Sequence, residues 1–168
     1  MIYKLIILSF FIGMSTNVLA QKHNIGLRTG YNRVGVFFNP NYQFEANNHL
    51  LEAGIKAYGY NLFFEKQPVG FRLAYGYHFL GQVQFSFYTS LNFNSFQEQR
   101  SISKLLLNEI GVVNGLSYNP SQKWSFRQEI GFGFVSTRSK EINTNNIYSS
   151  AYFNFEISFG LVYHFLGM

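Results

Sequence analysis

The stretch that decides the fold is AYFNFEISFGLVYHF, at residues 151–165. Alternate residues there are apolar or aromatic: Ala151, Phe153, Phe155, Ile157, Phe159, Leu161, Tyr163 and Phe165. The residues between them are mostly polar or small: Tyr152, Asn154, Glu156, Ser158, Gly160, Val162 and His164. Because successive side chains of a β-strand point to opposite faces, this stretch predicts a strand that faces lipid on one side and a barrel lumen on the other.

The same alternation recurs upstream and predicts seven further strands. It is clear near residues 40, 75, 87 and 130, and weaker at residues 23–31, 49–62 and 105–118. Near residue 40 the apolar set consists of Val34, Val36, Phe38, Tyr42 and Phe44. Within residues 105–118, Asn108 and Asn114 interrupt the apolar face. The resulting total of eight is even, as in single-chain bacterial membrane barrels.

Two kinds of connection alternate along the chain. Tight turns are predicted at residues 47–48, 81–82 and 119–122. The other connections are mostly longer and more charged, and are predicted at residues 32–33, 65–69, 97–104 and 138–146. Short turns of such barrels normally face the periplasm and longer loops the outside. Both chain termini are therefore predicted to be periplasmic.

Residues 1–20 have the features of a signal peptide. Lys4 supplies positive charge, residues 5–14 form an apolar run too short to span a bilayer as a helix, and Ala20 ends a small-residue cleavage site. We therefore predict a signal peptide at residues 1–20 and a single domain at residues 21–168. The chain has no cysteine, so neither disulfides nor lipid attachment to cysteine are expected.

The composition is unusual for a water-soluble domain. Aromatic residues make up 20% of the chain and charged residues 12%, whereas soluble domains average roughly 25% charged residues. The net charge is +5, and +4 without Lys4, with the basic residues scattered, so no nucleic-acid partner is expected. We predict an all-β, eight-stranded, antiparallel up-and-down transmembrane β-barrel in the outer membrane of a Gram-negative envelope, where only closed barrels and helices satisfy the backbone in lipid.

The rival architecture is a soluble eight-stranded barrel of the lipocalin or streptavidin kind, which has its apolar face inside. Side-chain size favours the membrane barrel, because an eight-stranded barrel has room inside for few large side chains. On the membrane register, the lumen carries charges of both signs, which we expect to form ion pairs that fill it: Arg28, Glu45, Glu52, Lys56, Arg72, Glu109, Arg127, Glu129 and Glu156. A filled lumen predicts no general diffusion pore.

The mature chain resembles the small outer-membrane β-barrel superfamily, which includes the OmpA transmembrane domain, OmpX and OmpW-like proteins. Its last strand resembles the signal that the barrel assembly machinery reads, carried by Phe159, Leu161, Tyr163 and Phe165. Family sequences usually end on the aromatic residue, whereas residues 166–168 follow here. The resemblance implies the fold, the outer-membrane location and the assembly machinery as a partner in biogenesis.

Some barrels in this superfamily are lipid A deacylases, which use a His-x-Ser pair on one strand face with a nearby Glu. A resemblance of this chain to those enzymes would require the same pair. None of the four histidines, His23, His49, His78 and His164, has Ser two positions later. All four are predicted near the periplasmic rim. There we interpret them as polar residues at the lipid headgroup boundary in preference to ligands of a metal site. We therefore expect no enzyme, no catalytic or metal-binding residues and no cofactor.

The sequence favours a non-enzymatic barrel with a structural or interaction role, either in envelope integrity or as a subunit of an outer-membrane complex with an envelope protein partner. Basic residues of the outer loops are candidate contacts for lipopolysaccharide phosphates: Arg33, Lys66, Arg100, Lys104, Arg138 and Lys140. The alternative is a porin-like, narrow-lumen transporter of small molecules, which a continuous apolar lumen would support. A lipid A-modifying enzyme is the third hypothesis.

Overall fold

The computed structural model describes residues 21–81 and 84–165, which form eight antiparallel β-strands closed into a barrel. The strands are β1 (Gln21–Asn32), β2 (Gly35–Ala46), β3 (His49–Asn61), β4 (Val69–Gly81), β5 (Phe85–Gln99), β6 (Ser103–Tyr118), β7 (Trp124–Glu141) and β8 (Ile147–Phe165). Each strand pairs with its sequence neighbour, and β8 pairs with β1 to close the barrel. The predicted eight-stranded up-and-down barrel is confirmed.

The apolar face points away from the barrel axis. In β8, Phe153 and Phe159 are 54% and 56% exposed, whereas Ser158 between them is 1% exposed. The other strands follow the same alternation, with large apolar side chains outside and polar side chains mostly inside. This orientation agrees with a barrel whose outer surface lies in hydrocarbon, and it contradicts the soluble, inward-facing alternative.

The two ends of the barrel differ. Both termini of the barrel lie at one end, because His23 pairs with Phe165, and the turns at residues 47–48 and 119–123 lie there too. In the first of these turns Asn47 has a positive φ of 55°, which asparagine tolerates better than most residues. We call this the short-turn end and the opposite one the hairpin end. That the short-turn end faces the periplasm stays a prediction.

Two of the predicted loops are wrong. Residues 97–104 are mostly strand, and the first four residues of the second predicted loop, 138–141, are strand as well, since β5 and β6 pair out to Gln99 and Lys104 and β7 and β8 pair out to Lys140 and Ile147. The connections themselves are only residues 100–102 and 142–146. The residues in these ranges are mostly polar or charged and lack apolar residues at every second position. The sequence pattern therefore resembles a loop, although the backbone hydrogen bonds between the strands continue.

A second correction concerns Val34, for which the alternation predicts the lipid face. Val34 lies in the connection between β1 and β2 and is 0% exposed, packed inside the hairpin end. Val34 and Gly35 are both buried, and the alternation of β2 starts only from Gly35 onward, so it does not extend back to Val34. The predicted signal peptide, the cleavage site, residues 166–168 and the second half of the turn at residues 81–82 lie outside the described residues.

Among the described residues, no helix is long and apolar enough to cross a membrane, a finding that carries no information about membrane-crossing strands.

Candidate functional site

A continuous network of charged side chains crosses the middle of the lumen. Arg28 donates two hydrogen bonds to Glu52, at 2.8 and 2.9 Å, and a third to Glu129 at 2.8 Å. Glu52 also accepts from Nε of Arg72 at 2.9 Å. Bidentate arginine–carboxylate bonds are among the strongest in proteins, so the four side chains hold β1, β3, β4 and β7 in one register.

The network continues toward the hairpin end through a lysine. Nζ of Lys56 donates to Glu109 at 2.8 Å and to Glu156 at 2.9 Å. Glu156 in turn forms an ion pair with Arg72 Nη1 at 3.5 Å, which joins this half of the network to the other. Lys56 is 0% exposed, so its ammonium depends on these carboxylates for the interactions that water would otherwise supply.

Hydroxyl donors satisfy further carboxylate oxygens of the network. Tyr58 donates to Oε1 of Glu109 and Tyr88 donates to Oε1 of Glu129. Ser158 donates to the other oxygen of Glu129 at 2.7 Å. The seven charged residues of the network comprise three cations and four carboxylates, so these neutral donors stabilise the excess negative charge.

An apolar layer fills the lumen above the network, at the hairpin end. Lys56 Nζ lies 4.1 Å from the centre of the Phe37 ring, which marks the boundary between the two layers. The layer, which we call the apolar plug, consists of Val34, Phe37, Tyr58, Phe64, Phe96, Leu105, Leu107 and Val135, with Phe63 packed against it. The eight residues of the plug are each at most 8% exposed, so this level of the lumen is closed by packing.

The strand alternation does not predict the apolar plug, although the sequence contains a pattern that could have indicated it. Phe37, Phe96, Leu107 and Val135 occupy positions that the alternation places on the polar, inward face of their strands. Apolar residues at inward positions, clustered toward one end of several strands, predict a plug when the strand pairing is known. A cavity of about 20 Å³ remains in the lumen beside Glu109 and Glu156, which is room for about one water molecule.

A second ion pair lies nearer the short-turn end. Arg127 donates to Glu45 at 2.7 Å, and its guanidinium lies 5.2 Å from the centre of the Tyr88 ring. Every predicted lumen charge therefore points inward, and the structure brings seven into one network and two into this pair. Glu45 is the least buried of the nine.

The four histidines lie at the short-turn end. His23 contacts the Tyr42 hydroxyl, and Nδ1 of His49 lies 2.7 Å from the Tyr75 hydroxyl. His78 and His164 point inward on separate strands. Within residues 21–81 and 84–165, no group of three or more His, Cys, Asp or Glu is placed to hold a metal ion.

His164 takes part in a polar row that crosses three neighbouring strands. Its Nδ1 lies 2.7 Å from Oδ1 of Asn24, and its Nε2 contacts the hydroxyl of Ser125. The Ser125 hydroxyl also donates to Asn119 at 2.6 Å. A search for His and Ser on one strand could not find this pair, since it lies across the β7–β8 ladder. Ser125 is 0% exposed, so the pair is enclosed within the polar row.

No protein-family model matches the chain, and no curated protein sequence matches it. Among solved structures, a de novo designed transmembrane β-barrel aligns with a TM-score of 0.58 and 13% identity, covering 86% of this chain and 95% of that one. A major outer membrane protein from Thermus thermophilus aligns with a TM-score of 0.52 and 14% identity, covering 87% of this chain and 100% of that one. The chain has the fold of a small transmembrane β-barrel. The fold that the sequence resemblance implied is thereby confirmed.

In a transmembrane barrel, outward residues that pair across neighbouring strands form rows. Apolar rows mark the part of the barrel inside the hydrocarbon, and polar rows mark its edges. Across β6 and β7, Ile110 and Phe134 pair in one apolar row and Tyr118 and Phe126 pair in another nearer the short-turn end. Asn108 lies one outward row beyond Ile110 on the hairpin side, where it pairs with a serine. The apolar band of this face therefore runs from the Ile110 row to the Tyr118 row, and the hairpin extensions stand outside it.

Three of the six candidate lipopolysaccharide contacts lie together on this transmembrane barrel. Lys104 pairs directly with Lys140, and Arg138 follows one row nearer the membrane, all on the outward face of the β6–β7 extension. We call these three residues the cationic patch. In the described part of the chain, none of them has a carboxylate within 4.0 Å.

The other three candidates lie elsewhere. Arg100 pairs with Glu98 at 2.8 Å and also contacts the Phe63 carbonyl. Arg33 donates to the Phe153 carbonyl at 3.3 Å. Lys66 lies in the exposed connection between β3 and β4. The predicted assembly-signal residues Phe159, Leu161, Tyr163 and Phe165 occupy the outward face of β8 at the short-turn end, on the strand that closes the barrel against β1.

Proposed function

We propose that the chain is a non-enzymatic outer-membrane barrel with a filled lumen, which stabilises the envelope by binding lipopolysaccharide phosphates at its cationic patch. Both termini would be periplasmic. The barrel assembly machinery would recognise the outward residues of β8 from Phe159 to Phe165. The signal-peptide features of residues 1–20 support export. The similarity in fold to an outer membrane protein from Thermus thermophilus supports the location.

The cationic patch is the observation that carries the interaction role. Lys104 and Lys140 are directly opposite each other on one face, a placement in which like charges repel. An anion between them would remove the repulsion. With the hairpin end outward, as proposed, the patch lies on the outer-leaflet side of the apolar band, and Lys and Arg are well suited to bind phosphate.

The filled lumen supports a role other than transport. The ion-pair network and the apolar plug occupy successive levels, and Lys56, Arg72, Phe37 and Leu107 are at most 1% exposed. A solute crossing the lumen would have to separate buried ion pairs and displace packed aromatic rings. A continuous apolar lumen, which would favour the transporter alternative, is interrupted by the charges.

Binding of lipid A to the purified barrel in nanodiscs tests the proposal. The double variant Lys104→Gln/Lys140→Gln removes two charges from the patch, and Lys22→Gln/Lys123→Gln removes two exposed charges at the short-turn end. A basic residue near an anionic membrane surface contributes about 1 kcal/mol, so we expect the patch variant to bind diphosphorylated lipid A about tenfold or more weakly. The control variant should bind as the unmodified chain does.

Dephosphorylated lipid A provides the second control. The unmodified barrel should bind it no better than the patch variant binds the phosphorylated form. Equal binding of both lipid A forms, or equal weakening by the two double variants, would contradict the assignment of the patch.

A further inference from the structure

Three polar side chains lie inside the apolar band on the outward face of β5, β6 and β7. They are Thr89, Asn114 and Gln128, which we call the amide patch. Thr89 pairs directly with Asn114 across β5 and β6. Gln128 pairs with Leu116, one row from Asn114, which is within reach of a diagonal side-chain contact.

The amide patch is well inside the membrane level. Asn114 precedes Tyr118, in the aromatic row near the short-turn end, by about 13 Å along β6, and follows Asn108, at the outer boundary, by about 20 Å. Apolar rows lie on both sides, with Val112 pairing with Phe132 and Tyr118 with a further phenylalanine. The amide patch therefore cannot be explained as part of a headgroup boundary.

The hydrogen-bonding capacity of the patch is only partly used. The Thr89 hydroxyl donates to Oδ1 of Asn114 at 2.7 Å. Within residues 21–81 and 84–165, neither the Asn114 amide nitrogen nor the Gln128 carboxamide has a hydrogen-bond partner, and both residues are exposed on the outer surface. Acyl chains offer neither donors nor acceptors, so a carboxamide facing lipid alone is unfavourable.

The opposite side of the barrel lacks this feature. On the outward faces of β1 to β4, between the aromatic rows at either end, the described residues include no Asn or Gln. Thr29 lies on that side, and its hydroxyl donates to the Phe37 carbonyl at 3.0 Å. The unsatisfied amides are thus confined to one side of the barrel, which is the distribution expected of an interface.

The outer surface has grooves in two places, and the larger, of about 760 Å³, lies beside Leu51, Leu73 and Phe93, so the unpaired amides and not the concavity distinguish the amide patch. The smaller groove, of about 350 Å³, lies at the amide patch, lined by Asn114 and Gln128 together with the apolar side chains of Phe87, Leu116, Ile130 and Phe159. Side chains of a neighbouring protein could enter this smaller groove and reach the carboxamides. An acyl chain would fill the apolar part and leave the carboxamides unpaired.

We propose that a second copy of this chain docks on the amide patch, giving a two-fold symmetric dimer within the membrane. A carboxamide carries both a donor and an acceptor, so Asn114 and Gln128 are complementary to the same residues in a copy rotated by 180°. Two-fold dimers place the same surface on both partners, and polar side chains between membrane-embedded segments favour association through hydrogen bonds. The dimer is independent of lipopolysaccharide binding at the cationic patch.

Disulfide cross-linking in liposomes tests the dimer without background, because the chain has no cysteine. Leu116→Cys places a thiol beside the amide patch, and Ile55→Cys places one on the outward face of β3, on the other side of the barrel. At a low protein-to-lipid ratio we expect oxidation to give a product of twice the chain mass for Leu116→Cys. For Ile55→Cys we expect a yield lower by about tenfold, the difference that a contact of about 1.4 kcal/mol makes.

A second pair of variants tests the amides themselves. Adding Asn114→Leu and Gln128→Leu to Leu116→Cys should lower the cross-link yield by about tenfold, as the loss of about 1.4 kcal/mol of association would. Both substitutions place apolar side chains in lipid, so the barrel should still fold, as its heat-dependent gel shift would report. Adding Asn108→Leu, at the outer boundary, should leave the yield unchanged.

Equal yields for the two cysteine positions would overturn the proposal, as would a yield that the leucine substitutions leave unchanged. A cross-linked product of any other mass in native membranes would also overturn it, in favour of a different protein on this surface.

Discussion

The ammonium of Lys56 lies 2.8 Å from Oε2 of Glu109 at a level of the lumen where Lys56 is 0% exposed. The two residues are 53 positions apart in the chain, on β3 and β6. Their strands are not neighbours in the barrel, so the pair spans the lumen. The contact makes the stability of the barrel depend on charge balance inside it.

Replacing Lys56 with methionine should destabilise the barrel strongly. The substitution removes a cation and leaves Glu109 and Glu156 buried with one partner fewer, and breaking a buried ion pair in this way costs about 3–5 kcal/mol. The free energy of unfolding in urea, measured in lipid vesicles, should fall by that amount. Lys123→Met is the matched control, because Lys123 is exposed and should leave the value unchanged.

Removing both sides of the contact should cost less than the single changes imply. In Lys56→Met/Glu109→Gln, one buried charge of each sign is lost together, so the coupling between the two changes should be favourable. The free energy of unfolding of the two single variants and the double variant gives this coupling. Additive losses would show that the two residues do not interact in the membrane.

Truncating a ring in the apolar plug should also destabilise the barrel. Phe96 is 1% exposed, and its ring centre lies 5.2 Å from that of Tyr58. Phe96→Ala should lower the free energy of unfolding by about 3–5 kcal/mol, since it leaves a cavity as well as losing apolar contact. Phe96→Leu keeps most of the volume and should cost clearly less. Equal effects of the two variants would mean that Phe96 is not packed inside.

The unmodified barrel should show no stepwise conductance in planar bilayers. The ion-pair network and the apolar plug each fill the lumen, so Phe96→Ala should also remain non-conducting while the network is intact. A designed eight-stranded barrel in the same bilayer serves as an insertion control. Discrete channel openings by the unmodified chain would contradict the filled lumen.

The alternation of side chains is enough to predict the strands and the inward charges. Residues 151–165 alternate without interruption, so their strand and its two faces follow from the period alone. The positions of Lys56 and Glu109 in the two-residue alternation of their strands place both side chains inside the barrel. Their contact does not follow from the alternation. It depends on the strand register and on the curvature of the barrel, which bring together two residues 53 positions apart in the chain.

The features that the alternation does not predict have physical causes too. The extensions of β5–β6 and β7–β8 stand outside the apolar band, so Arg138 and Lys140 no longer alternate with apolar residues, and they lie in the strand through backbone pairing. The apolar plug escapes prediction because Phe37 and Leu107 lie on faces expected to be polar. Ion pairs fill only the middle of the lumen, and packed apolar side chains close the level above it.

Whether the apolar face of the barrel meets lipid is tested most directly by solid-state NMR of methyl-labelled protein in bilayers, with magnetisation transferred from acyl-chain protons. The unmodified chain is used, so no substitution disturbs the lumen. The methyl groups of Val112, Ile157 and Leu161 should receive magnetisation from lipid, and those of Leu107 and Val162, which are at most 1% exposed, should not. Transfer to Leu107 and Val162 with none to Ile157 would contradict the orientation of every strand.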